Sequence, residues 1–233
     1  MFDRKKIAMI TAEFLGTSIL MMTVLAVSRS QIGVPYFVAL ATALATAAMY
    51  FVLHNVSGAH LNPAISLGLW SVRKAKTLPT IVYVASQLLG AAVAYYLYAY
   101  FIGQHWHNSG TFASKVLIAE AVGAMVFGLG WAATVYNKME SGRAAAVIAL
   151  SLFAGMIVAS AASGGLINPA LALGLRSWVW TTYVLGPILG AVIGFNVYGL
   201  LFAPASKLIE KPAAKPVVKT PASAKVSAKT SKK

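Results

Sequence analysis

Hydrophobic residues run along the chain in six stretches of bilayer-spanning length, at about 7–27, 35–53, 79–102, 116–136, 144–162 and 178–203. A hydrocarbon core about 30 Å thick takes roughly 20 apolar residues in helix, so the pattern predicts six spanning helices. The first stretch also has the flanks of a signal peptide, with Arg4, Lys5 and Lys6 before it and Ala26-Val27-Ser28 at its end. Its length and the internal Glu13 favour a retained helix. Two further apolar stretches, Asn62–Val72 and Asn168–Ser177, are too short to span, and each carries Pro at its second position. Pro is well tolerated in the first turn of a helix, where its missing N–H costs nothing. A helix of about 10 residues rises about 15 Å, half the hydrocarbon thickness. Irregular backbone such as 57–61 or 163–167 at that depth is tolerable only where it lines a cavity. The two short stretches therefore read as re-entrant half-helices in an all-α membrane protein.

The two halves of the chain match at an offset near 106. Ala12-Glu13 with Gly16 answers Ala119-Glu120 with Gly123, and His60-Leu61-Asn62-Pro63-Ala64 answers Leu166-Ile167-Asn168-Pro169-Ala170. Tyr83 and Gln87-Leu88-Leu89-Gly90-Ala91 answer Tyr183 and Pro187-Ile188-Leu189-Gly190-Ala191. Each half, about 5–103 and 114–203, holds three spans and one half-helix. Three is odd, so the second half enters the membrane from the opposite side. An inverted repeat of this kind is a transport architecture whose site lies near the midplane, where the half-helices meet. Gly90 with Ala94, and Gly190 with Gly194, are small residues four apart that permit close helix approach.

Composition agrees and adds orientation. Of 233 residues, 59% are hydrophobic and 10% charged, against about 25% charged in soluble domains. The net charge of +14 is uneven, because residues 205–233 hold eight lysines and one acidic residue, Glu210. The apolar body is therefore placed at 1–204, with 205–233 as a Lys/Ala/Pro-rich tail whose composition cannot bury a core. With both termini inside, 16 of the 19 Lys and Arg residues fall on the cytoplasmic side, as the positive-inside rule requires. The tail lysines suit contact with anionic lipid. The absence of cysteine rules out disulfides and thiolate chemistry.

Two Asn-Pro-Ala motifs on paired half-helices, each with a Glu 48 or 49 residues upstream, resemble the aquaporin, or major intrinsic protein, family over about residues 5–203. The resemblance implies the six-span, two-half-helix fold, a homotetramer with one pore per subunit, and no cofactor. Physically, two half-helices meeting N-terminus to N-terminus bring about +0.5 of a charge each to the pore centre. Asn62 and Asn168 can orient a passing water or hydroxyl through side-chain N–H donors. The plainer reading is that each Asn caps its own half-helix. Glu13 and Glu120 are the only acidic residues inside the spans, and the resemblance makes them scaffolds for the re-entrant loops, leaving loop carbonyls to face the pore. His60 resembles the family histidine that helps fix the first loop. His105-Trp106-His107 has no such match and reads as a polar external loop.

Counted from the motifs, the family's outer selectivity constriction falls on Thr42, Met156, Gly165 and Leu171. Water-selective members carry an aromatic, a His, a small residue and an Arg at these positions. Only the small residue remains here, and Leu171 can neither hold charge nor donate a hydrogen bond. Arg176, five residues on, is about 140° round the helix from Leu171. These residues predict a wide, apolar neck that has lost one electrostatic barrier to cations. The expected function is a passive channel for water and small neutral solutes, with a glycerol- or urea-type facilitator and an occluded structural protein as alternatives. No nucleophile, metal or phosphate-loop pattern points to an enzyme.

Overall fold

The computed structural model describes residues 3–29, 34–105 and 111–204. The tail at 205–233 and the residues Trp106 and His107 lie outside them. Five spans are continuous α-helices: α1 (Arg4–Arg29), α2 (Val34–Ser57), α4 (Thr77–Ile102), α5 (Ser114–Tyr136) and α6 (Ser141–Ala159). The short helices α3 (Pro63–Ser71) and α7 (Pro169–Gly174) occupy the predicted half-helix positions. The sixth span joins two π-helical segments, Trp180–Leu185 and Tyr198–Phe202, through α8 (Gly186–Val197). Pro187 accounts for the first of these. It has no N–H for the carbonyl of Tyr183, so the ladder widens there instead of closing an α-turn. All six spans have the length and hydropathy to cross a membrane.

Glycine sets how closely the spans approach. In the first half α1 packs on α4, where Ser18 Oγ donates to the Gly90 carbonyl at 3.0 Å. In the second half α5 packs on α8 through Gly128, Gly190 and Gly194. A Cβ at Gly190 would lie 2.9 Å from the Ala121 Cα and closer still to that residue's carbonyl. Backbone cannot yield as a flexible side chain can, so Gly190→Val is expected to cost about 3 kcal/mol. Gly164→Ala, whose Cβ would meet nothing nearer than 3.7 Å, is expected to be nearly neutral. Thermal unfolding of the two purified variants checks the contrast.

The half-helices begin and end alike. Each has Asn at the N-cap and Pro next, and each closes with an Arg in left-handed backbone, Arg73 and Arg176, both at φ 59°. Arg73 N donates to the Trp70 carbonyl and Arg176 N to the Leu173 carbonyl. A cation at the C-terminal end also complements the helix dipole. Arg176 then lies over the Tyr95 ring, 5.3 Å from its centroid, and so cannot replace the missing neck arginine. Outside the bilayer, Glu140 caps α6 by accepting from Gly142 N and Arg143 N, and these donors hold its carboxyl below the usual range.

Candidate functional site

The site forms where α3 and α7 meet. Two loops lead into them, and both need backbone that side chains normally avoid. Ala59 and Leu61 in the first loop have φ 51°, while Gly165 and Ile167 at the matching positions of the second have φ 64° and 39°. A β-branched residue at positive φ carries strain of about 1–3 kcal/mol, so something must hold Ile167 there. The buried glutamates supply the hold. Glu120 Oε1 accepts from Ser163 Oγ (2.7 Å) and Leu166 N (2.9 Å), and Oε2 accepts from Ile167 N (2.6 Å). Glu13 does the same in its half. Its Oε1 accepts from Ser57 Oγ (2.6 Å) and His60 N (3.0 Å), and its Oε2 from Leu61 N (2.8 Å) and Gln87 Nε2 (2.7 Å).

The carboxylates pull the loop N–H groups away from the centre, and the carbonyls of the same residues turn across to the other loop. Asn62 Nδ2 donates to the Ile167 carbonyl at 3.1 Å, and Asn168 Nδ2 to the Leu61 carbonyl at 3.0 Å. Each Asn also caps its own half-helix, Oδ1 accepting from Ala64 N (2.8 Å) or Ala170 N (2.9 Å). Capping and pore-lining are therefore compatible. An amide nitrogen has two hydrogens, and one on each Asn remains beyond the cross-loop bond. The carbonyls of Leu61 and Ile167, expected to face the pore, are engaged in these bonds with one lone pair each.

A small cavity of about 10 Å³ lies at this junction, lined by both asparagines together with Leu20, Thr46, Phe127 and Leu152. That is room for the centre of one water. Pro63, Ala64, Pro169 and Ala170 are buried beside it. His60 also borders the cavity, and its Nδ1 pairs with Ser66 Oγ at 3.1 Å, tying the first loop to α3.

The four neck positions are closely packed. Thr42, Met156, Gly165 and Leu171 are all buried, with Met156 at 2% and Leu171 at 1% exposure, and these two belong to one apolar cluster. Thr42 and Leu171 border the same small cavity as the two asparagines, so the neck is narrow and largely apolar at its inner edge. A guanidinium would keep its hydration, whereas a leucine and a methionine gain by packing away from water. The Thr42 hydroxyl does not offset this, because it donates to the Val38 carbonyl of its own helix at 2.6 Å.

Several supporting residues escape a reading of the motifs alone: Ser57, Ser163, Ser66, Gln87 and Tyr83, whose hydroxyl donates to the Ser57 carbonyl at 2.9 Å. Ser57 and Ser163 had a signal, since each is followed by Gly and stands five residues before its Asn. Gln87 had none, because its repeat counterpart is Pro187.

A profile described as "Major intrinsic protein" matches residues 3–198. Aquaporin AqpM of Methanothermobacter marburgensis is 30% identical over 188 residues, covering 70% of this chain and 76% of its own. Aquaporin Z of Photorhabdus laumondii is 28% identical over 83% of this chain and 97% of its own. Among solved structures, the aquaglyceroporin from Plasmodium falciparum superposes with a TM-score of 0.72 at 24% identity, over 87% of this chain and 99% of that one.

Proposed function

Because the chain belongs to the major intrinsic protein family and is a multi-pass membrane channel for water and/or small solutes, we propose that it conducts water and small neutral solutes passively, in single file, between Asn62 and Asn168. The observation that carries this reading is the pair of reciprocal Asn bonds beside a cavity sized for one water. Two donors and two facing half-helix N-termini hold that water by its oxygen and break its hydrogen-bonded chain to its neighbours. The same positive centre opposes cations. Glu13, Glu120 and His60 act as scaffold. Thr42, Met156, Gly165 and Leu171 form the outer barrier, where a solute sheds its hydration without compensation.

The membrane is the cell membrane, with both termini cytoplasmic, and the Lys and Arg asymmetry supports this side. The homotetramer rests on family resemblance, and tail contact with anionic lipid on the eight lysines of 205–233.

Stopped-flow light scattering on proteoliposomes tests the proposal with water, glycerol and urea gradients. Wild type is expected to show flux of water and of the solutes above that of empty vesicles. Leu171→Arg places a hydrated cation in the neck, and is expected to lower glycerol and urea flux relative to water. The burial of Met156 and Leu171 favours a second reading, an occluded protein with a structural role. Wild-type flux equal to that of empty vesicles would select it.

A further inference from the structure

The inverted repeat gives every neck residue a counterpart on the other side of the Asn pair. Met156 stands twelve residues before Asn168, and Tyr50 twelve before Asn62. On α2, Thr42, Thr46 and Tyr50 are spaced four apart and so share one face. Thr42 and Thr46 both border the central cavity, and Tyr50 comes one turn beyond Thr46, away from the neck and towards the side of the chain termini. On α5, Phe127 borders the same cavity, and Trp131 follows it by one turn in the same direction. His60, from the first loop, completes the group.

These three side chains meet edge to face. The Tyr50 and Trp131 ring centroids are 6.1 Å apart at 82°, and those of His60 and Trp131 are 6.3 Å apart at 88°. The arrangement is braced on all sides. His54 stacks on Tyr50 at 4.9 Å and 12°, with its Nδ1 at 2.8 Å from the Tyr50 carbonyl. Phe127 abuts Trp131 at 5.6 Å, and Tyr83 abuts His60 at 5.2 Å. Tyr50 and His60 remain partly exposed, with Trp131, as buried as Met156, packed behind them. Met156 and Leu171 of the outer neck offer no hydrogen bond to a solute, while the opposite side holds rings with a hydroxyl and an imidazole.

We propose that the solute-discriminating constriction of this channel is the Tyr50–Trp131–His60 ring on the terminal side of the Asn pair, with the outer neck serving as an apolar barrier alone. This rests on the channel reading above. The ring admits water and those small polar solutes, polyols or amides, that fit between its faces and can exchange hydration for the Tyr50 hydroxyl and the His60 imidazole. Trp131 backs Tyr50 and His60, and His54 is a positioning residue for Tyr50.

The test compares glycerol-to-water and urea-to-water permeability ratios in proteoliposomes of the full chain. Tyr50→Ala is expected to raise the glycerol-to-water ratio several-fold. Met156→Ala is expected to raise water flux and leave both ratios unchanged. Should Tyr50→Ala fail to fold, Tyr50→Phe keeps the ring and removes the hydroxyl, and is expected to lower the urea-to-water ratio several-fold. Ratios that move with Met156→Ala and stay fixed in the Tyr50 variants overturn the proposal while leaving the channel reading intact. Wild-type water flux no greater than that of empty vesicles overturns both.

Discussion

Glu13→Leu is expected to lower the melting temperature of the purified protein by about 10 °C or more and to abolish water flux. Four donors converge on this carboxylate: Ser57 Oγ, His60 N, Leu61 N and Gln87 Nε2. Leucine leaves all four without an acceptor in a region closed to water, at about 1–3 kcal/mol each where they find no other partner. A total of several kcal/mol corresponds to roughly 10 °C at about 2–4 °C per kcal/mol for a chain of this size. Glu120→Leu orphans the Leu166 and Ile167 N–H groups, while Ser163 Oγ keeps the Ala159 carbonyl, and is expected to follow at a smaller cost. Glutamine does not rescue either position. One of its terminal atoms is a donor, and it would face Leu61 N–H and Gln87, or Ile167 N–H, donor against donor. A melting temperature unchanged in Glu13→Gln, with flux altered only in its pH dependence, would instead assign the carboxylate to proton transfer.

Much of this was legible before any coordinates, and the reason is physical. A membrane leaves the backbone few options, so apolar length alone locates six spans and half that length marks the re-entrant pair. Duplication then doubles every signal: a lone Asn-Pro-Ala means little, but Asn62 and Asn168 at an offset of 106, each trailing a glutamate, point to one midplane junction. Four features were not legible. The state of the neck depends on how Met156 and Leu171 pack, and no motif encodes side-chain packing. The π-helical start of the sixth span follows from Pro187, yet Pro near a helix start ordinarily signals nothing unusual. Gln87 serves Glu13 only because α1 and α4 lie against each other, 74 residues apart in the chain. The cross-loop bonds are also invisible in sequence, since an Asn that caps its own helix looks the same as one that also holds its twin.

Those cross-loop bonds have an energetic consequence of their own. Asn62 and Asn168 do not bond to each other; each bonds to the residue just before the other. Asn62→Ala removes the cap on Ala64 N, at about 1 kcal/mol, and takes the side-chain donor from the Ile167 carbonyl. It also removes one of the two ties between the halves, so the loops can part and the remaining Asn168–Leu61 bond weakens. Asn168→Ala in that background then has less left to lose. The double variant is therefore expected to cost less than the sum of the two single ones, by about 0.5–3 kcal/mol, the range found for residues that share one network. Two independent caps would instead give additive costs, and a double-mutant cycle on thermal or denaturant unfolding distinguishes the two cases. Function should follow the same rule. Either single substitution is expected to cut water flux sharply, because the central water loses a donor and the junction that shapes its cavity. The second substitution then adds little, and a second loss as large as the first would mean that the two asparagines act on the water separately rather than through the junction they build together.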